Sequence, residues 1–260
     1  RLTGRRIDVQ RLDELIAIDP DARTATAEPG LTFAELLRET LRHGLMPTCV
    51  PELRGITVGG AVSGCSLESM SYKRGGFHDG CRAYEVVTGT GEVLTCSRDD
   101  DPELFHLVHG SYGTLARLTA VTFDLIPAKP YVKMDYVPLA RFDDYWDFLR
   151  ERCDRDDFDF VDGIVHGPNH LVACLGTFCD APPWVSDYTG ADIFYRSTAE
   201  RTFDYLTLDQ YCFRYDTECH WLSRTVPPLE NPWVRRALGR WFLGSTNLIT
   251  WSDRLRPLYK

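Results

Sequence analysis

Short runs in which apolar and polar residues alternate make up most of this chain, with a few longer helical patterns between them. The alternation predicts strands at residues 7–9 and 15–18, and a returning arm at 24–27 after the turn Asp19-Pro20-Asp21-Ala22. It resumes at residues 82–88 and 92–96, which flank Gly89-Thr90-Gly91 as a hairpin, and at 115–126, the longest run of the first half. Further strands are expected at 131–137, 158–166 and 170–178. The first helix opens at Thr32-Phe33-Ala34-Glu35, whose spacing is that of a capping box, and runs to about His43 with Phe33, Leu36, Leu37 and Leu41 on one face. Gly44 then suits the left-handed position that ends a helix. Pro102, preceded by acids, starts a short helix. Helical patterns also cover 141–153, 233–243 and 252–260, while 180–198 is aromatic and without period.

Pro127-Ala128-Lys129-Pro130 breaks the pattern and marks a boundary between residues 1–127 and 128–260. The strand-helix-strand-strand order beyond it predicts an antiparallel sheet with helices on one side, so the fold class expected is α+β. Residues 50–85 fit neither period. Seven glycines (Gly55, Gly59, Gly60, Gly64, Gly75, Gly76 and Gly80) make this stretch too glycine-rich for a helix interior and too irregular for a strand. Backbone that must approach something flat or charged has this composition.

Composition narrows the chemistry. The chain has 260 residues and a formal net charge of −9, which argues against nucleic acid as a partner. Its nine cysteines form no C-x-x-C pair, so neither a zinc ribbon nor a disulfide scaffold is expected, and a reducing, cytoplasmic setting is. The acidic runs near Asp99 and Asp154 lack EF-hand spacing, so no metal site is expected. No stretch has the length and apolarity of a membrane span.

Within the glycine stretch, Thr57-Val58-Gly59-Gly60 lets main-chain N–H groups come close to a ligand, although a plain tight turn explains the four residues equally well. The context gives them more meaning. Pro51-Glu52-Leu53 precedes them, Gly75-Gly76 and a hairpin follow, and Gly110-Ser111-Tyr112-Gly113-Thr114-Leu115-Ala116-Arg117-Leu118 comes later. This order resembles the FAD-binding domain of the vanillyl-alcohol oxidase and p-cresol methylhydroxylase superfamily. Glu68-Ser69, Lys73, Ala83-Tyr84-Glu85 and Ile126-Pro127-Ala128-Lys129-Pro130-Tyr131-Val132-Lys133 resemble more narrowly the Δ24-sterol reductase (diminuto, seladin) family. The likeness is dense over residues 22–133 and thinner afterwards, and the decaprenylphosphoryl-ribose oxidases share the glycine frame more distantly.

The resemblance implies the later portion of an FAD-binding domain followed by an antiparallel-sheet cap that binds substrate, itself incomplete, with the active site between them. It implies FAD contacts at Glu52, Leu53, Thr57, Val58, Gly59, Gly60, Gly64, Cys65, Ser66, Leu67 and Leu118. The family's first phosphate loop is expected before Arg1, in a longer parent chain. Ala116 stands where many relatives carry glycine, and Arg117 where they carry an apolar residue. Some members tether FAD through a cysteine after the Gly-Gly region. Here Gly76-Phe77-His78-Asp79 has none in that place, so FAD is expected to be non-covalent. The implied activity is hydride transfer between flavin and a sterol-like or lipid-like small molecule, with NADPH as donor. Glu68, Tyr72 and His78 are the candidates for the proton-handling group. An alcohol or sugar oxidase on the same frame, or a truncated module that binds without turnover, remains open. So do peripheral membrane contact and oligomeric state. The aromatic residues from Trp184 to Phe213 suit equally a substrate pocket or a core.

Overall fold

A computed structural model describes residues 11–248 with Thr250, Trp251 and Arg254. The strand expected at 7–9 and, apart from Arg254, the helix expected at 252–260 lie outside these described residues. The first part of the chain runs β1 Leu15–Asp19, β2 Thr24–Ala27, α1 Phe33–Leu41, β3 Leu45–Pro47, α2 Val58–Ser63, α3 Ser71–Arg74, β4 Cys81–Thr88, β5 Val93–Ser97, α4 Pro102–Val108 and β6 Ala116–Pro127. The second part runs β7 Tyr131–Leu139, α5 Phe142–Arg155, β8 Phe160–Gly167, β9 His170–Cys179, α6 Phe194–Glu200, β10 Phe203–Thr207, α7 Leu208–Cys212, α8 Leu222–Thr225 and α9 Pro232–Leu243.

These elements form two units. The first holds residues 1–50, 56–67 and 74–127; the second holds 51–55, 68–73 and 128–260. The division at Pro127 is joined by two short excursions that the sequence pattern does not announce. Side chains explain why they go with the second unit. The Arg54 N–H donates to Asp216 Oδ1 at 3.0 Å and its guanidinium pairs with Asp209. Lys73 Nζ donates to the Phe158 carbonyl at 2.7 Å, and the hydroxyls of Ser69 and Tyr211 bond at 2.8 Å.

In the first unit β6 is the hub of a six-stranded sheet ordered β1-β2-β6-β4-β5, with β3 pairing to the end of β6. All its pairings are antiparallel. β4 follows β6 from Cys81↔Phe123 to Thr88↔Ala116, whereas β2 stops at Ala27↔Val121. One edge of β6 from residue 116 to 120 therefore has no strand beside it in these pairings. Phe33 and Phe77 meet edge to face at 5.0 Å, and Phe77 and Phe123 at 5.1 Å, so α1, the glycine stretch and the sheet share one core. The capping box at α1 forms by half. The Glu35 N–H donates to the Thr32 hydroxyl at 3.3 Å, but the Glu35 carboxylate accepts from that hydroxyl at 2.7 Å rather than from the Thr32 N–H. Thr32 is instead drawn into a backbone bridge with Thr57.

Within the glycine stretch lies α2, the short helix that the Thr57 hydroxyl is placed to cap. Thr57 caps it by accepting from the Gly60 N–H at 3.2 Å. Gly59 and Gly60 lower helix propensity, yet a Cβ at Gly59 would lie 2.5 Å from Pro29 Cβ. Close packing of backbone on backbone outweighs propensity here.

The second unit is a four-stranded antiparallel sheet ordered β10-β7-β9-β8. The segment expected to be irregular ends in α6, and β10 and α7 follow it unannounced. Most aromatic residues there are core. Tyr188, Phe194, Tyr195, Tyr211 and Phe213 are buried, while Trp184 is exposed. Among the described residues, no helix is long and apolar enough to cross a membrane.

Candidate functional site

Each unit has a cavity lined by its own residues, and the two are built differently. The first unit's cavity measures about 470 Å³, within the range of roughly 300–1,000 Å³ usual for small-molecule sites. Pro29 and Gly30 form one wall; Thr57, Gly59, Gly60, Ser63 and Gly64 form a second. Tyr112, Gly113, Ala116, Arg117 and Leu118 form a third. The loop before β6 is fixed to the end of α2, because the N–H groups of Gly110 and Tyr112 donate to the carbonyls of Val62 and Ser63 at 3.3 and 3.1 Å. Gly113 has φ +65°, which only glycine adopts without cost.

Of the residues expected to touch cofactor, Thr57, Gly59, Gly60, Gly64 and Leu118 come together in this cavity. Val58 is fully buried in the core instead. The Ser66 carbonyl accepts from the Phe77 N–H at 3.0 Å, and Leu67 is exposed. Cys65 lies on a left-handed residue, φ 52°, beside Gly110. Glu52 and Leu53 line the second unit's cavity. Pro29, Gly30 and Ser63 were not anticipated, while Tyr112, Gly113, Ala116 and Arg117 belong to the segment 110–118 quoted for the resemblance. The turn pair Pro29-Gly30 after β2 was the one available signal for the first two.

The amides at the start of α2 are already committed. Val58 N–H donates to the Leu31 carbonyl and Gly59 N–H to the Pro29 carbonyl, at 2.9 and 2.8 Å, and Gly60 N–H to Thr57. A diphosphate therefore finds no donor there. The wall suits an uncharged, flat group, which glycines let approach the backbone and the open edge of β6 can hydrogen-bond. Among the described residues, Arg117 is the one charged residue lining the cavity, and its Nη1 donates to the Gly113 carbonyl at 2.6 Å.

One of the second unit's cavities, about 260 Å³, is lined by charge: Glu52, Glu68, Asp162, Glu218 and Arg214, with Leu53, Gly163, Tyr215 and Cys219. Arg214 is its centre, with a side chain 1% exposed. Its Nη2 donates to Glu68 Oε1 at 3.0 Å and Asp162 Oδ2 at 2.6 Å, and its Nη1 to the Tyr211 carbonyl at 2.9 Å. The guanidinium also faces the Tyr211 ring at 4.4 Å and the Tyr215 ring at 5.1 Å. Glu218 is held apart by Arg235 at 2.7 Å. Burial pushes the Asp162 carboxyl above its usual range; Arg214 opposes this and the Glu68 carboxylate adds to it. The Asp162 side chain keeps 22% of its surface, its Oδ1 is enclosed, and the Cys174 thiol also favours its ionised form.

The three proton-handling candidates fall in different places. Glu68 lines the charged cavity. The Tyr72 hydroxyl donates to the Phe158 carbonyl at 2.6 Å, and burial and Asp156 push its pKa upward. His78 stands in a histidine group of the first unit, its ring 5.0 Å from His109 and its Nε2 3.5 Å from Asp79. There His109, bonded to the Tyr84 hydroxyl at 2.9 Å, is held down to about 4 by burial and then by His78 and His106. Asp162 and Arg214 carried no sequence signal, since neither belongs to a motif.

Comparison with known proteins bears on both units. Residues 3–97 match the family model described as FAD binding domain. The chain is similar to the Delta(24)-sterol reductase homolog of Caenorhabditis elegans, 30% identical over 260 residues, which cover 91% of this chain and 49% of the relative. It is 27% identical to Delta(24)-sterol reductase of Homo sapiens over 274 residues, covering 99% and 52%. Cytokinin dehydrogenase 7 of Oryza sativa subsp. japonica is 34% identical over 137 residues, covering 51% and 26%. The chain spans about half the length of the curated sterol reductases it matches. The resemblance read from the motifs holds, and so does the α+β fold class, with an FAD-binding segment followed by an antiparallel-sheet unit.

Proposed function

We propose that this chain carries the flavin wall and a substrate-handling unit of an FAD-dependent oxidoreductase. It transfers hydride between non-covalently held FAD and a sterol-like or lipid-like molecule. One observation supports this most: the motif residues Thr57, Gly59, Gly60, Gly64 and Leu118, scattered over 62 positions, line one cavity in the segment similar to FAD binding domains.

The cavity fits the uncharged part of FAD. Glycines 59, 60 and 64 admit a flat ring to backbone distance, β6 offers main-chain groups at its open edge, and Arg117 supplies one positive charge. Bound FAD supplies the two-electron chemistry; the protein supplies position, a dry surface and hydrogen bonds. No cysteine lines this cavity, which supports non-covalent binding. Tyr72 is committed to the Phe158 carbonyl, which leaves Glu68, held beside Asp162 by Arg214, and His78 as the candidates for handling the proton. NADPH is the donor we assign, a choice that the similarity to reductases supports. A reducing, cytoplasmic setting goes with this reading, since nine scattered cysteines with no C-x-x-C pair suit one.

Full-length protein incubated with FAD and desalted will retain absorption near ~450 nm; a colourless product sinks the flavoenzyme reading. The cytokinin dehydrogenase similarity favours a second reading, in which substrate is oxidised. Anaerobic bleaching separates the two: NADPH bleaches a reductase, whereas an alcohol or sugar alone bleaches an oxidase.

A further inference from the structure

We propose that the outer face of α9 docks the protein on the surface of an anionic phospholipid bilayer, lying among the headgroups rather than crossing them. The proposal does not rest on the flavin reading.

Charge is divided along this chain. Residues 231–260 hold six arginines and lysines and one acid, Asp253, whereas residues 1–230 hold 23 cations against 37 acids. Between Glu230 and Asp253 the sequence has no acidic residue, and three of the chain's six tryptophans lie in that interval: Trp233, Trp241 and Trp251.

α9 is fastened by one side. Asn231 caps it by accepting from the Trp233 N–H at 2.9 Å. Arg235, fully buried, pairs with Glu218 at 2.7 Å and donates to the Thr217 carbonyl at 3.3 Å, and Leu243 is buried. The other side presents Trp233, 75% exposed, with exposed Arg236, and then exposed Arg240 with Trp241, 70% exposed. Gly239, at φ +64°, bends the helix between these two pairs. Each indole group has a cation beside it. The Arg236 guanidinium stands 5.7 Å from the Trp233 ring. Trp251 meets Trp241 edge to face at 6.4 Å and carries the Arg254 guanidinium at 5.7 Å.

A face that meets only water gains nothing from this composition, because exposed indoles forfeit their apolar burial. The boundary between acyl chains and headgroups accepts an indole ring and its N–H together. Arginine stems run along the same layer and set their guanidinium groups at lipid phosphates. The net charge of −9 argues against nucleic acid on this face. A second copy of the chain fits less well: a two-fold contact sets arginine against arginine, and a head-to-tail contact runs on into rings or filaments. Among the described residues no helix is long and apolar enough to span a bilayer, so α9 would lie along the surface.

Vesicles of brominated phosphatidylcholine, alone or equimolar with brominated phosphatidylserine, test this on the full-length protein, with sedimentation and quenching of tryptophan fluorescence both read. The anionic vesicles should bind tighter and quench. Arg236→Gln with Arg240→Gln should weaken that binding on the order of twenty-fold, about five-fold for each charge. Trp233→Phe with Trp241→Phe should remove most of the quenching and leave the melting temperature unchanged, because both rings are exposed. Equal binding to the two vesicles overturns the proposal. Arginine variants that bind as tightly as the parent protein overturn it as well. Quenching that survives the tryptophan pair places the lipid on another surface and overturns it too. Sedimentation with neither vesicle, or without quenching, overturns it in favour of a protein segment covering this face. None of these readings requires turnover, so a failed flavin assignment would show separately in the visible spectrum.

Discussion

The two cavities differ in what their walls are made of. In the first unit the wall is mostly backbone: glycines, the start of α2 and the open edge of β6. In the second it is buried side chains: one guanidinium between two carboxylates, with aromatic rings packed against it. Backbone walls confer shape and tolerate any ligand thin enough to enter. Side-chain walls confer charge and demand a partner of matching chemistry. The stability of each should fail in a different way.

Removing the guanidinium is the harshest break. Arg214→Leu leaves Glu68 and Asp162 facing one another without a cation, and should cost about 3–5 kcal/mol. Urea unfolding followed by tryptophan fluorescence measures it; a loss below about 1 kcal/mol, the scale of an exposed pair, would show the network to be solvated. The backbone wall should break more gently. Gly59→Ala sets a Cβ 2.5 Å from Pro29 Cβ and forces α2 away from the opposite wall. It should cost about 1–3 kcal/mol and most of the retained flavin. Unchanged absorbance after desalting would remove Gly59 from the cofactor wall. Thr57→Ala deletes the cap of α2 and should cost about 1 kcal/mol, with Thr57→Ser restoring most of it; equal melting temperatures for all three proteins would argue against the cap.

The smallest and most diagnostic contrast is in pH, where the units should respond with opposite signs. His109 sits at about 4 against an ordinary 6.5. The unfolded chain therefore takes up a proton first, and this group's contribution is lost as pH falls from 6.5 toward 4. Asp162 is raised above its ordinary 3.8. The native protein therefore keeps a proton that the unfolded chain has released. That contribution is complete below 3.8 and is lost as pH rises through the native value. Stability curves for His109→Asn and Asp162→Asn should each lose one of these slopes, and a shared slope in both would refute the assignment.

The sequence was readable where function is local. Thr57 to Gly64 lie within two turns of chain, and the family resemblance they carry with their neighbours pointed to them as one wall. Strand alternation placed β4, β5, β6, β7 and β9 because one face of each is buried. The helix α2 was legible only through its cap residue Thr57, because glycine propensity argues against it and packing on Pro29 outweighs that. β10 and α7 were hidden because the aromatic run before them has no period. The Arg214 network was unreadable for another reason. Arg214 stands 146 positions from Glu68 and 52 from Asp162, and no local rule connects them. The grouping of Glu52 and Leu53 with the second unit was unreadable for the same reason, since Arg54 ties their segment to Asp216 and Asp209.

That tie makes the molecule poorly suited to modular exchange. The chain enters the second unit three times, at 51–55, 68–73 and 128–260. A cut at the Pro127–Ala128 junction would part Arg214 from Glu68, Tyr211 from Ser69 and the Phe158 carbonyl from Lys73. During synthesis Glu68 emerges long before its guanidinium does, so the second unit can close only after nearly the whole of it has been made. Recombination among relatives at the interdomain seam would carry one half of this charge network without the other. Heritable change in the two units is thereby linked through a handful of residues that neither unit's motif reveals.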